Sequence, residues 1–370
     1  MPLSPRSKTP SSSIKESEII ACKEFLSNHE KIVVMAGADV DRENACKELV
    51  DLVENLNASV LVTMEARGVF PESHKNWAGV YIGQFTPGIV ESQVFDECDA
   101  VLLVGVDDLM THVPWNSSLP TAELLGRSEY RPLSQQPSVR VNGNLKDTLK
   151  SLLSQPRKGF NPDKTQGLRE NILSSFKRPS NARFTAQDII QITQEVLPSD
   201  GILFSETGVF VCMLEHLWCV DQPGTYFGTS GGRTMGLTIP AICGAKLAEP
   251  NRPMIGLGGD GSLLMRLGEL EVLARTGVAV PLIIMNDQAL GTMKARQKIR
   301  DFESHGLDLH PICFEDLAKS IGLNGVTVNN PEDFEIALKK SLKSEHTTLI
   351  DARIDPEAYQ DSFGRTVGMS

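Results

Sequence analysis

The segment Gly258-Gly259-Asp260-Gly261-Ser262 closes a buried-type apolar run, PMIGLGG, and opens a stretch with helical spacing. Glycines at such a turn let a phosphate approach the backbone, and a helix start offers free N–H groups with positive partial charge. A carboxylate inside the turn would repel phosphate unless a cation lies between, so Asp260 suits a ligand of a hard divalent metal. A plain Gly-Asp-Gly turn explains the same residues equally well when the turn is taken alone. The next apolar run, VPLIIMND, ends on Asn286-Asp287. Neighbouring parallel strands bring their carboxyl ends together, which would let Asp260 and Asp287 face one cation. Two carboxylates completed by backbone carbonyls, water and phosphate oxygens fit Mg2+. The bland alternative makes Asn286 and Asp287 residues that cap a strand.

These residues need a sheet to hold them, and the pattern supplies one. Short β-branched runs bounded by glycine alternate with helical periodicity. KIVVMAG (31–37), SVLVTM (59–64) and AVLLVG (100–105) read as buried parallel strands, with helices near 14–28, 43–56 and 88–97. Thr185, with Asp188 three residues on, predicts a capped helix. GILFSE (201–206), 253–261, 280–287, VTV (326–328) and TTLIDARID (347–355) read as strands, and 236–248, 263–276, 312–322 and 331–343 as helices. The expectation is an α/β chain with two domains, each a parallel sheet flanked by helices. Its parts are a disordered lead (1–13), a first unit (14–130), a proline-interrupted linker (131–184), a second unit (185–360) and a tail (361–370).

Composition narrows the function classes. The 370 residues are 41% hydrophobic and 22% charged, which suits globular domains rather than coiled coil, collagen or global disorder. Net charge is −11 and no basic run appears, against nucleic-acid binding. No window has the 18 apolar residues of a membrane span, so no membrane partner is expected. The seven cysteines form no CxxC pair and lie mostly in apolar runs, as buried thiols of a reducing compartment would. The Ser/Pro-rich start is followed at once by Glu16 and Glu18, unlike a transit peptide, and the expected location is cytoplasmic.

Gly-Asp-Gly, 24 intervening residues and then Asn resembles the diphosphate-binding motif of thiamine diphosphate enzymes. The surrounding GDGSLLMRLGELEVLARTGVAVPLIIMNDQALG resembles the acetolactate synthase, 2-oxo acid decarboxylase and benzaldehyde lyase group. GGRTMGLTIPAICGAKLAEPNRPM resembles the segment preceding that motif, and residues 31–105 resemble the family's nucleotide-binding-like middle domain. The resemblance spans about residues 30–360. It implies thiamine diphosphate and Mg2+ as cofactors, and lyase or transferase chemistry on C–C bonds of 2-oxo acids. It implies Asp260, Asp287 and the carbonyl of Ala289 as metal ligands, and Gly261 and Ser262 as donors to the diphosphate. Met235 matches the bulky residue that props the cofactor bent, and the carbonyl of Arg233 would accept from its amino group. Ser205, Glu206, Thr207 and Gly208 match the loop opening toward the cofactor, with Gln288 and Leu290 as further cofactor-binding residues.

Two positions depart from the usual pattern: Asp287, where many relatives carry Asn, and Arg233, where most carry Gly. A further α/β domain of the family, which holds the pyrimidine end and supplies an activating glutamate, has no counterpart in the about 30 residues ahead of the middle domain. Catalytic residues are therefore left unassigned. The expected partners are a 2-oxo acid substrate and either further copies of this chain or a chain carrying the pyrimidine-binding domain. The alternative is a cofactor-binding or regulatory relative without turnover. A dinucleotide enzyme is a weaker rival, because Leu263 and Leu264 fill the third-glycine region and no glycine-rich loop follows KIVVMAG beyond Gly37. His216, His305, His310, Lys294, Arg296 and Gln297 are polar groups near these motifs that fit a solvated or core role as well as an active one.

Overall fold

The computed structural model describes residues 14–82, 90–107, 118–126, 136–154, 157–228 and 234–359. The expected lead (1–13), the tail (361–370) and Arg233 lie outside the described residues. The chain divides into two compact units, 1–85, 91–170 and 221–223 against 86–90, 171–220 and 224–370.

The first unit holds α1 (Glu16–Asn28), β1 (Ile32–Ala36), α2 (Asp39–Arg42), α3 (Cys46–Leu56), β2 (Ser59–Thr63) and β3 (Trp77–Tyr81). It continues through α4 (Ser92–Asp96), β4 (Ala100–Val104), β5 (Thr121–Leu125), β6 (Val139–Asn142), α5 (Leu145–Leu152) and α6 (Pro162–Ser174). Its six strands are all parallel in the order β3-β2-β1-β4-β5-β6. Strands β1 to β5 are buried along their whole length, which is why the sequences of β1, β2 and β4 read as continuous apolar runs. Helix α3 buries Leu49, Leu52, Val53 and Leu56 on one stripe and ends on Asn57 in the left-handed conformation (φ 52°). The chain order reverses between β1 and β4, where open sheets of this type have their crevice. Here the two turns pack backbone to backbone: a Cβ on Gly37 would fall inside the Gly105 carbonyl oxygen.

The sheet extends beyond residue 130. Within the stretch expected as linker, Val139–Asn142 adds its sixth strand and α5 is an amphipathic helix behind an Asn144 cap, which accepts from Asp147 N–H. Prolines and scattered charges concealed this strand, because an edge position needs no continuous apolar run.

The second unit holds α7 (Ala186–Val196), β7 (Ile202–Ser205), α8 (Val211–Leu217), β8 (Tyr226–Phe227), α9 (Thr238–Ala248), β9 (Met254–Gly259) and α10 (Asp260–Met265). Then come α11 (Glu269–Thr276), β10 (Pro281–Asn286), α12 (Gly291–Ile299), α13 (Phe314–Ser320), β11 (Asn324–Val328), α14 (Pro331–Ser341) and β12 (Thr348–Arg353). The second parallel sheet runs β11-β12-β10-β9-β7-β8. The capping box at Thr185 and Asp188 forms as the sequence predicts. The single helix expected over 263–276 is two: α10 ends at Met265, and α11 restarts after Gly268 and stops at Gly277 (φ 67°). Phe204, Ile242, Leu263, Leu273, Leu282 and Phe314 belong to one core that fixes β7, β9 and β10 against α9, α11 and α13. No described helix is long and apolar enough to cross a membrane.

Candidate cofactor and metal site

The site lies where the second sheet changes direction. From β7 the chain steps outward to β8 and then returns to β9 on the other side of β7. Ligands of open α/β sheets bind outside the carboxyl ends of strands at such a point. Ser205 pairs with Leu257, and Met285 with Gly259, so three strand ends stand at one edge of the sheet.

Asp260 begins α10 and is buried. Its Oδ1 accepts from Gly261 N–H at 2.7 Å, and its Oδ2 is buried with no hydrogen-bond partner among the described residues. Burial pushes its carboxyl up to about 6. Asp287 follows β10, and its Oδ1 accepts from Ala289 N–H at 3.1 Å. Burial first, and then the charge of Asp260, push the Asp287 carboxyl up to about 7. The charge of Asp260 thus reaches Asp287, and both acids are raised first by burial in surroundings of low polarity.

The cavity they line has a volume of about 260 Å3. Thr207 and Gly208 reach it from the β7 loop, and Met235 from the turn before α9. Gly261 and Ser262 come from α10, and Ala289 and Leu290 from the loop after β10. The Ser262 hydroxyl donates to the Thr207 carbonyl at 3.4 Å, linking two of these walls. Ala289 faces Asp308 in an isolated antiparallel bridge. The bonds of that bridge run from Leu290 N–H to the Leu307 carbonyl and from Leu309 N–H to the Gln288 carbonyl, so the Ala289 carbonyl takes part in neither.

Four expected cofactor residues stand differently. Ser205 ends β7 outside the cavity wall, and its hydroxyl donates to the Glu206 carbonyl at 3.3 Å. Glu206 does not line the cavity. Its buried carboxylate accepts from Gly236 N–H at 2.7 Å and Thr238 N–H at 2.6 Å, so it clamps the turn that carries Met235. Burial raises its pKa despite these donors. Gln288 is exposed and absent from the wall; it contributes a left-handed backbone (φ 56°) that bends the loop between Asp287 and Ala289. Arg233, as noted, falls outside the described residues. Sequence reasoning missed Phe210, Met265, Met293 and Ile354, which give the cavity its apolar wall. Their signal was weak because isolated apolar residues at the ends of helices and strands look like ordinary core.

The remaining polar candidates stand outside the cavity. His216 is buried and stacked on Phe176 at 4.8 Å between ring centroids. Lys294 pairs with Asp308 at 2.7 Å, and the exposed His305 lies 3.3 Å from Glu303. None of His216, His305, His310, Lys294, Arg296 and Gln297 lines the cavity.

The donor set fits a hard divalent cation. An orphaned carboxylate oxygen, a second carboxylate and a backbone carbonyl are oxygen ligands, as Mg2+ requires. Among the described residues no cluster of three His, Cys, Asp or Glu could hold a metal, so a cation here would need water or ligand oxygens to complete its shell. Gly259 leaves the cradle open, since a Cβ there would touch nothing nearer than 3.9 Å.

Two family models match this chain: thiamine pyrophosphate enzyme, central domain, over residues 19–152, and thiamine pyrophosphate enzyme, C-terminal TPP binding domain, over residues 206–352. The chain is 28% identical over 338 residues to benzoylformate decarboxylase of Pseudomonas aeruginosa, covering 89% of this chain and 62% of that protein. It is 26% identical over 345 residues to the acetolactate synthase large subunit of Buchnera aphidicola subsp. Schlechtendalia chinensis, covering 87% of this chain and 59% of the relative. The solved thiamine diphosphate-dependent 4-hydroxybenzoylformate decarboxylase of Rhodococcus jostii superposes with a TM-score of 0.74 at 24% identity, over 95% of this chain and 67% of that one, a likeness of fold. The chain spans about three fifths of the length of the curated relatives it matches.

Proposed function

Because the chain belongs to the thiamine pyrophosphate enzyme family, with its central and C-terminal TPP-binding domains, we propose that it binds thiamine diphosphate through Mg2+ and acts on C–C bonds of 2-oxo acids, as a decarboxylase or an acetolactate synthase-like lyase or transferase. One observation carries this reading: the buried Asp260, with an orphaned oxygen, and Asp287 line one cavity at adjacent strand ends.

In this reading Asp260, Asp287 and the Ala289 carbonyl hold the cation, and the cation offsets the repulsion between the acids and a diphosphate. Gly261 and Ser262 orient the diphosphate, and Gly261 N–H must exchange its bond to Asp260 to do so. Met235 fills the crook of the bound group, a task that suits a flexible apolar side chain. Phe210, Leu290 and Ile354 exclude water from the cavity. Thiamine diphosphate, when bound, supplies the electron sink at the carbonyl carbon of the substrate.

Among the described residues, no carboxylate besides Asp260 and Asp287 lines the cavity. Glu206 is committed to two backbone N–H groups and does not serve as the activating acid. In this reading the activating glutamate comes from a pyrimidine-binding domain, carried on a partner in an oligomer. The commitment of Glu206 also favours a second reading, a cofactor-binding relative that does not turn over alone. A reducing, cytoplasmic setting is part of the same proposal, resting on the cysteine spacing alone, since only Cys22 and Cys243 of the expected buried thiols are buried and Cys313 is exposed.

Calorimetric titration with thiamine diphosphate tests the proposal. Binding is expected in Mg2+, with loss in excess chelator and in Asp260→Asn. No binding, or binding indifferent to both changes, would overturn it. Release of CO2 from pyruvate or benzoylformate by the purified chain alone would reject the second reading and the need for a partner.

A further inference from the structure

Asp351 is the central carboxylate of β12 and is wholly buried, yet it touches neither the cavity nor solvent. Asn286 Nδ2 donates to its Oδ1 at 2.7 Å, and Arg353 Nε approaches its Oδ2 at 3.4 Å. A carboxylate only accepts, so the amide nitrogen of Asn286 must face Asp351 and its oxygen must face away. That oxygen accepts from Gln288 N–H at 3.2 Å. Gln288 stands in the left-handed region (φ 56°), which disfavours a residue with a side chain and persists only where neighbours hold it. The residues on either side are Asp287 and Ala289, whose own turn is closed by the 3.1 Å bond from Ala289 N–H to Asp287 Oδ1.

We infer that Asp351 is a positioning residue for the metal-binding turn: it fixes the amide of Asn286, which pins Gln288 left-handed and thereby aims the Asp287 carboxylate and the Ala289 carbonyl into the cavity. The metal role of this turn rests on the function proposed above; the hydrogen-bond relay does not. Asp351 performs this work from the neighbouring strand, since β10 and β12 pair along their length, with Ile284 opposite Asp351 and Asn286 opposite Arg353.

A reciprocal exchange of the two side chains tests the relay. Asn286→Asp sets two carboxylates face to face and removes the donor. The double variant Asn286→Asp/Asp351→Asn restores both bonds with roles reversed: the new amide donates to the carboxylate at 286, which still accepts from Gln288 N–H, while the amide oxygen at 351 still faces Arg353. Hydrogen exchange of the peptide spanning 286–290 is followed in the full-length chain without cofactor, and Mg2+–thiamine diphosphate affinity is followed by calorimetry. In Asn286→Asp, exchange at Gln288 is expected to quicken, and affinity to fall, by about tenfold to a hundredfold, the cost of leaving a buried polar group without its partner. Exchange elsewhere and the melting temperature of the first unit should hold. The double variant should return both readouts to within about threefold of the parent. Unchanged exchange in Asn286→Asp, or no recovery in the double variant, overturns the relay. If Asn286→Asp does not fold, a folded double variant supports the pairing and an unfolded one overturns it. If the parent chain does not bind the cofactor, the proposed function falls while the exchange readout still decides the relay.

Discussion

Gly261→Ala separates folding from binding at the candidate site. Gly261 lies inside α10, and a Cβ built there meets Leu290 Cδ2 at 2.9 Å, Met235 Cε at 3.5 Å and Leu309 Cδ1 at 3.8 Å. All three are tips of side chains, so a shift of a few tenths of an ångström clears the only close approach. That repacking costs about 1 kcal/mol at the light end of overpacked substitutions. Alanine in place of glycine within a helix returns about 1 kcal/mol. The unloaded variant should therefore melt within about 3 °C of the parent, since 1 kcal/mol moves a domain of this size by roughly 2–4 °C. Binding should respond differently. In the proposed function the methyl group would stand on the wall that receives the diphosphate, where displacing a charge-assisted bond forfeits about 1.5–3 kcal/mol per bond. Two such bonds give a loss of at least about a hundredfold in affinity for Mg2+–thiamine diphosphate. Thermal melts of the unloaded chain and calorimetry with the cofactor measure the two quantities. A variant that melts like the parent and binds as tightly would refute the placement of the cradle at Gly261.

Further outcomes are expected elsewhere in the molecule. Gly37→Ala drives a Cβ into the Gly105 carbonyl, where no flexible atom can yield, and should lower the stability of the first unit by about 3 kcal/mol or more in urea unfolding; a loss under about 1 kcal/mol would contradict this. Glu91 accepts from Ile82 N–H, its other oxygen is buried without a partner among the described residues, and burial pushes its carboxyl up to about 7. A carboxylate raised in the folded state favours folding below the ordinary glutamate range and loses that contribution as pH climbs through about 7. Glu91→Gln should accordingly be more stable than the parent by about 3 kcal/mol at pH 8 and by less than about 1 kcal/mol at pH 5, and the reverse order in urea melts at the two pH values would be inconsistent with it. Thr185→Ala removes the hydroxyl that accepts from Asp188 N–H and should cost about 1 kcal/mol in the same assay, with Thr185→Ser near the parent.

Much of this fold is legible residue by residue. The β-branched runs of β1, β2 and β4 and the carboxylate at the end of β10 announce themselves because burial on both faces demands apolar continuity. What escaped obeys a different rule. In β5, Glu123 is buried within TAELL and satisfied by Arg140 across in β6, at 2.9 Å, so a charge interrupts a strand that the pattern would otherwise reveal. β3 and β8 are too brief, or too close to glycines, to show a period. The two acids were visible as types at a spacing. The role of Glu206 as a clamp, and the relay through Asp351, depend on which backbone N–H groups the fold brings near, and that information is long-range. Asp351 had one available signal: an acid in the middle of the apolar run TTLI-D-A must find a buried partner.

The parallel register of β9 and β10 sets Asp260 and Asp287 side by side although roughly 27 residues of chain run between them, a loop whose closure a shared ligand would enforce. A bridging ion and its passenger would thus behave as a removable clip on everything enclosed, α11 included. Loading would register as resistance of the 261–286 span to proteolytic nicking, and stripping the ion would restore susceptibility there well before the rest of the sheet loosened.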